Sequence, residues 1–384
     1  MLWAKPAWHQ PEWPDQARVR LVRGELAVKP PLVRGEDVHT LRSLLARVAA
    51  GQFHVVQSGD CAEDPGECTP GYVAQKAALL DVLAGVLTMT TRKSVLRVGR
   101  IAGQFGKPRS QPTEFVGGVE LPVYRGHMVN SPEPDLVLRR PDPSRLLAGY
   151  RAAREVMYHL GWRATVRQPH LVAPVWTSHE ALLLDYEIPM LRRDDAGRPL
   201  LTSTHWPWVG DRTNQLDGAH VALLAGIVNP VACKVGPRMS PDKLVALCER
   251  LDPGRTAGRL TLIARLGADA VADKLPPLVA AVRKAGHPVI WLTDPMHGNT
   301  VCGPDGLKTR FLETVIREVE NFQWAVSIEQ GTAGGLHLET TPDDVTECVT
   351  NESMLSQVGD KYTSFCDPRL NLNQAISVVS AWRG

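Results

Sequence analysis

The stretch VACKVGPRMSPDKLVALCERLDPGRTAGRLTLIARLG, Val231 to Gly267, reads as one strand–helix–strand unit. Its two apolar runs, 231–235 and 259–266, are short and bounded by turn residues, as buried strands are. Between them Ser240 and Pro241 open a helix as N-cap and first-turn residue. Two strands joined by such a crossover run parallel. The same alternation extends in both directions. Further strands are expected at FHVV (near 53–56), SVLRVG (94–99), LLTSTHWPWV (200–209), PVIWL (288–292), GGLHLE (334–339) and TSFCD (363–367). Helix-like segments include ADKLPPLVAAVRKAG, which stops at Gly286, and LKTRFLETVIREVENF. In EDVHTLRSLLARVAA (36–50), Val38, Leu41, Leu44, Leu45 and Val48 fall on one helical face.

Eight strands alternating with helices predict an α/β fold of the closed (β/α)8 barrel kind. An open doubly wound sheet is the alternative, but no G-x-G-x-x-G turn follows any early strand. The expected organisation is an N-terminal extension and helix (1–50) followed by a single catalytic barrel (51–384). The stretch 103–200 is too long for one crossover helix and is read as an insertion after the second strand.

A hydrophobic content of 43% and a charged content of 22% are those of a globular protein. A net charge of +2, without a basic stripe, excludes nucleic acid as the expected partner. Apolar runs such as Val221–Val228 are too short to span a bilayer, and the N-terminus lacks the apolar core of a signal peptide. Seven scattered cysteines fit a reducing cytoplasm better than a disulfide framework.

Nearly every expected strand ends in a residue suited to chemistry, and in a parallel barrel all those ends open on one face. Cys61, His297, Glu339 and Asp367 form one set. A thiolate, an imidazole and two carboxylates can hold a divalent transition metal, whereas magnesium and calcium prefer all-oxygen sites. Singly, each has a plainer reading: a buried thiol, a turn histidine, a solvated strand end, a turn former before Pro368. Arg100, Lys107, Arg109, Arg212, Lys234 and Arg265 form the second set. Cations at a barrel mouth bind anions, arginine as a fork and lysine as a point charge. Arg265 alone interrupts the apolar run LTLIARLG, and GRIAGQFGKPRS supplies two cations and Ser110 in one loop. A metal beside several anion sites points to substrates carrying phosphate and carboxylate.

These segments, QSGDCAE, GRIAGQFGKPRS, YRGHMVN, TSHEALLLDYE, GDRTNQLDGAH, NPVACKVGP, LTLIARLG, DPMHGNT, GGLHLE and CDPRLN, resemble those of type II 3-deoxy-D-arabino-heptulosonate 7-phosphate (DAHP) synthases, in the family's order. The resemblance implies a (β/α)8 barrel that condenses phosphoenolpyruvate with erythrose 4-phosphate, using Mn2+ or Co2+, or else Zn2+ or Cd2+. It implies metal ligation by Cys61, His297, Glu339 and Asp367. It places phosphoenolpyruvate on Arg100, Arg212, Lys234 and Arg265, near Asp211, and the aldose phosphate on Lys107, Arg109 and Ser110. In the implied reaction the metal polarises the aldehyde, C3 of phosphoenolpyruvate attacks it, water adds at C2, and phosphate leaves by C–O cleavage. Arg100, Lys234 and His297 stand closest to that chemistry. Lys234 is the first candidate for proton handling, because a lysine among arginines has a lowered pKa.

Two positions depart from the family pattern. Asp211 replaces a glutamate, so it either reaches its partner through water or shifts the substrate. His127 replaces an aspartate after YRG and is expected to weaken a local turn or salt bridge, or to alter a substrate contact. The chain also lacks length where regulated members carry helices that bind aromatic amino acids, so little feedback inhibition by Trp, Phe or Tyr is expected. Short members suggest a role in secondary metabolism. Cys366 is expected near Cys61, where a disulfide would remove a metal ligand. The alternatives are an aminoDAHP synthase and a catalytically silent barrel that partners chorismate mutase. A homo-oligomer, dimer or tetramer, is expected.

Overall fold

The structure is a computed structural model and describes residues 2–162, 174–303 and 305–384. Eight parallel strands close into a barrel. In chain order they are β1 (Phe53–Gly59), β2 (Ser94–Arg100), β3 (Trp176–Glu180), β4 (Trp206–Val209), β5 (Val231–Val235), β6 (Leu260–Ala264), β7 (Ile290–Thr293) and β8 (Ala333–Glu339). Each pairs with its sequence neighbours, and β8 closes onto β1. The expected (β/α)8 barrel is therefore observed.

Three sequence expectations are corrected. TSFCD is not a strand. Its backbone N–H groups at Thr363 and Ser364 donate to the Glu347 carboxylate, and Ser364 Oγ donates to the Asp367 carbonyl, so short polar side chains and a buried acid replace a ladder. The strand missed is β3, WTSHE, which lies inside the stretch expected to be one insertion. Its inward residues Trp176, Ser178 and Glu180 are mostly polar, so it shows no apolar alternation. Residues 163–173 of that stretch fall outside the described residues. The run LLTSTHWPWV is broken in two: Pro199–Leu201 pairs antiparallel with Leu191–Arg193, and only Trp206–Val209 joins the barrel. Between them the Thr202 and Ser203 hydroxyls donate to the Met190 carbonyl and to Glu187.

One helix overturns the reading that no apolar segment is long enough for a membrane. Pro70–Thr91 has 22 residues and a mean hydropathy of 1.3 over its best window. It is the crossover from β1 to β2, apolar on several sides because it packs on those strands and on helices Ser144–His159 and Leu372–Ser380. It starts where Thr69 Oγ accepts the Tyr72 N–H, with Pro70 in its first turn. Helix Pro241–Leu251 opens as expected: Ser240 Oγ accepts the Lys243 N–H.

The barrel interior is graded. At the amino ends the inward residues are apolar: Val55, Leu96, Val98, Trp176, Trp206, Trp208, Ala232, Ile263, Ile290 and Leu292 form one buried cluster. Leu41, Leu45 and Val48 of the helix Gly35–Ala49 belong to that cluster, so this N-terminal helix plugs the bottom of the barrel. Continuing by steps of two towards the carboxyl ends, every strand but β4, which reaches Gly210, turns polar: Gln57, Arg100, Glu180, Lys234, Arg265, Asp294, and both His337 and Glu339 on β8. Leu45→Ala should destabilise the fold by about 2–5 kcal/mol, because a fully buried leucine leaves a cavity that barrel strands cannot collapse into. Equilibrium denaturant unfolding measures it.

Candidate active site

Strand register sets the geometry of the site. Gly59 at the end of β1 is paired with Arg100 on one side and Glu339 on the other. It has a positive φ of 149°, and a Cβ there would lie 2.7 Å from the Arg100 carbonyl oxygen. A glycine is required for the chain to leave β1 between these two residues, and it delivers Cys61 next to Glu339.

Cys61 Sγ, a Glu339 carboxylate oxygen and an Asp367 carboxylate oxygen lie within 4.8 Å of one another. His297 Nε2 lies 3.7 Å from Glu339 Oε1. His297 Nδ1–H donates to Asp294 at 2.8 Å, which leaves Nε2 as the unprotonated nitrogen facing the carboxylate. The three strand-end candidates Cys61, His297 and Glu339 are thus joined by Asp367, which arrives on a loop. Burial holds the His297 pKa low, in the neutral form a ligand needs. Burial pushes Glu339 up, but His297, Arg100, Arg310 and Lys107 outweigh it and bring its pKa to about 2. Lys107 Nζ sits 2.6 Å from Cys61 Sγ and 3.5 Å from Asp367, drawn by the concentrated negative character of these donors. A sulfur and two carboxylates clustered together, with an imidazole nitrogen beside one of the carboxylates, fit a divalent transition metal. Cys366 lies beside Cys61, as expected, and both thiols are free.

In front of this cluster is a cavity of about 610 Å³. All eight predicted anion-site residues line it: Arg100, Lys107, Arg109, Ser110, Asp211, Arg212, Lys234 and Arg265. Arg100 and Lys234 are held from below by one acceptor. His337 Nδ1–H donates to Gln57 Oε1 at 2.7 Å, and Nε2 accepts from Arg100 at 2.6 Å and Lys234 at 2.8 Å. Burial, with Lys234 and Arg100 adjacent, keeps the His337 pKa well below the usual range and the ring neutral. Lys234 also pairs with Asp294. Its pKa falls to about 8, chiefly through burial, with Arg100 and Arg265 adding to it against Asp294. The arginine neighbours lower the lysine as expected, but desolvation is the larger cause.

The departures from the family pattern also find their places. Asp211 contacts Arg265 directly at 3.0 Å, with no need of a bridging water. His127 does not line the cavity. It bonds Tyr124 Oη at 2.6 Å and lies edge-on to Phe365 with ring centroids 5.3 Å apart, bracing the loop that carries Asp367. Asn299 is a turn residue: it binds the Ala268 N–H, the Pro295 carbonyl and Glu318.

Four cavity or floor residues escaped sequence reading. Lys308 and Arg310 stand at the start of LKTRFLETVIREVENF, expected to be helical, but form a short hairpin strand, Lys308–Arg310, and the helix begins at Leu312; they pair with Asp367 at 2.9 Å and Glu339 at 3.0 Å. Glu180 and His337 stand in quoted segments, TSHEALLLDYE and GGLHLE, where inward spacing by two from Ser178 and to Glu339 was the available signal.

Comparison with known proteins gives the family of the chain. The model of the Class-II DAHP synthetase family matches residues 2–170 and 155–381. A protein of Pseudomonas fluorescens named as a probable phospho-2-dehydro-3-deoxyheptonate aldolase is 57% identical over 98% of this chain and 94% of its own length. A phospho-2-dehydro-3-deoxyheptonate aldolase of Streptomyces coelicolor is 39% identical over 97% of this chain and 94% of its own. The solved structure of the Francisella tularensis phospho-2-dehydro-3-deoxyheptonate aldolase shares the fold at a TM-score of 0.53 and 14% identity, covering 95% of this chain and 97% of that one. With its barrel, its donor cluster and its cationic cavity in place, the chain belongs to the class-II DAHP synthetase family.

Proposed function

We propose that the chain condenses phosphoenolpyruvate with erythrose 4-phosphate to give DAHP and inorganic phosphate. The observation that carries this reading is the cavity that joins the Cys61–Glu339–Asp367 cluster, with His297 beside Glu339, to a set of lining cations. Two phosphorylated substrates, one of them also a carboxylate, need that many positive groups, and a reacting carbonyl needs the Lewis acid.

Cys61, His297, Glu339 and Asp367 would hold the metal, with Mn2+ or Co2+ preferred for a mixed donor set and Zn2+ or Cd2+ next. When bound, it supplies polarisation of the aldehyde carbonyl. Arg100, Lys234 and Arg265 bind phosphoenolpyruvate inside the cavity, with Arg212 at its exposed edge. Lys107, Arg109 and Ser110 bind the phosphate of the aldose. Fixing both substrates in one cavity removes most of the entropic barrier to carbon–carbon bond formation. Lys234, with its pKa brought to about 8, gives a proton to the alkoxide formed from the aldehyde. Neither departure favours an amino analogue as acceptor, since Asp211 is engaged with Arg265 and His127 lies off the cavity.

The test is the loss of phosphoenolpyruvate absorbance on adding erythrose 4-phosphate. Turnover should require both substrates, fall to background with a chelator and return with added Mn2+ or Co2+. Phosphate release without the aldose, or turnover indifferent to chelation, would refute the reading.

A further inference from the structure

Glu180 ends β3, and its carboxylate is a feature the reaction above does not use. The side chain lines the cavity, yet Oε1 is buried without a hydrogen-bond partner. Its main chain is engaged, the N–H donating to Gln104 Oε1 at 2.9 Å and the carbonyl accepting from the Leu182 N–H at 2.7 Å. The other carboxylates lining the cavity are committed: Asp211 to Arg265, Glu114 to Arg109 and Arg139, Asp367 to Lys107 and Lys308. Among the described residues, Glu180 is the lining carboxylate without an ion pair.

Its space is provided for. A Cβ on Gly210, at the end of β4, would fall 2.2 Å from Glu180 Oε1 and 2.9 Å from its Cδ. Gly210 is not in the left-handed region, so its missing side chain serves room and not backbone conformation. The charged groups facing Glu180 are Lys107 from the loop after β2, Lys234 on β5, Arg212 after β4 and Arg100 on β2. Burial outweighs all four and raises the Glu180 pKa above the usual carboxylate range. A carboxyl pushed up and a lysine pushed down in one cavity are an acid–base couple drawn towards neutral pH. Once substrate anions occupy those four cations, less positive charge opposes protonation of Glu180.

Resting on the proposed condensation, we propose that Glu180 is a catalytic residue whose carboxylate takes a proton from the water adding to C2 of the phosphoenolpyruvate unit. The water lone pair forms the C2–O bond, and one water proton passes to Glu180. When the hemiketal phosphate collapses, the bond between C2 and the phosphate oxygen breaks and its electron pair leaves with phosphate. Glu180 returns its proton to that oxygen. The second water proton leaves the C2 hydroxyl as the ketone forms and replaces the one Lys234 gave to the alkoxide. Glu180 and Lys234 both end as they began.

Glu180→Gln keeps the shape and removes the base. It should lower kcat by roughly 10²–10⁴-fold while the Kd for phosphoenolpyruvate, read from the fluorescence of the cavity residue Trp208 and its neighbours, stays within a factor of a few. Gly210→Ala should lower kcat by displacing the same carboxylate, and combined with Glu180→Gln it should add little. Two results overturn the inference: a Glu180→Gln enzyme that turns over like wild type, or one whose kcat falls only in step with lost phosphoenolpyruvate binding. A wild-type chain without turnover overturns the functional reading and this inference together. An active wild type with an equally active variant overturns this inference alone.

Discussion

His297→Ala should lose both bound metal and turnover, with kcat down on the order of 10³-fold or more, since Lewis-acid polarisation is worth several kcal/mol. The ring is the single nitrogen among the donors, and its Nε2 is aimed by the Nδ1–H bond to Asp294. Alanine removes a ligand and leaves Asp294, a carboxylate held ionised by His297 and Lys234 against burial, with one partner fewer. Metal content after dialysis, measured by elemental analysis, should fall with activity. Retained metal and retained turnover would refute the assignment. Asp294→Asn tests the aiming: a weaker effect than His297→Ala is expected, of the roughly 10–100-fold size typical of groups that orient a ligand.

Lys234→Met should lower kcat by roughly 10²–10⁴-fold through loss of proton transfer, with weaker phosphoenolpyruvate binding besides. The pH dependence carries a sign. With a pKa of about 8 in the folded chain against 10.5 for an ordinary lysine, the ammonium loses its proton as pH rises through 8. Wild-type activity should decline on that alkaline limb. Between about pH 8 and 10.5 the unfolded chain binds more protons at this site than the folded one, so the contribution of Lys234 to stability rises with pH there and is least favourable below it. Lys234→Arg keeps the charge and should restore phosphoenolpyruvate binding without turnover, with that binding holding to higher pH than in wild type. An unchanged rate in Lys234→Met would remove the residue from the chemistry.

The barrel was legible because its strands are buried on both faces and its helices are amphipathic, so each announces itself in apolar runs of the right length. β6, LTLIA, is the clearest case. β3 was not legible, because a strand facing a polar cavity inward has no apolar run to show. TSFCD was misread for the converse reason: a short run with strand-forming residues whose backbone is claimed by the buried Glu347 carboxylate. The resemblance named four candidate donors that the fold brings near one another, Asp367 included, although the strand assigned to it does not exist.

The order of residues along the chain determined which chemistry this protein carries: a thiol, an imidazole, two carboxylates and a row of arginines and lysines, each beside a turn. What they do together was decided by tertiary structure. Barrel closure set Gly59 between Arg100 and Glu339, and loops far apart in sequence brought Cys61 against Asp367. Burial then reset their acidities, drawing Lys234 down and leaving Glu180 raised and unpaired. Desolvation and the field of neighbouring charges depend on distances in space, and those distances exist only once the barrel has closed.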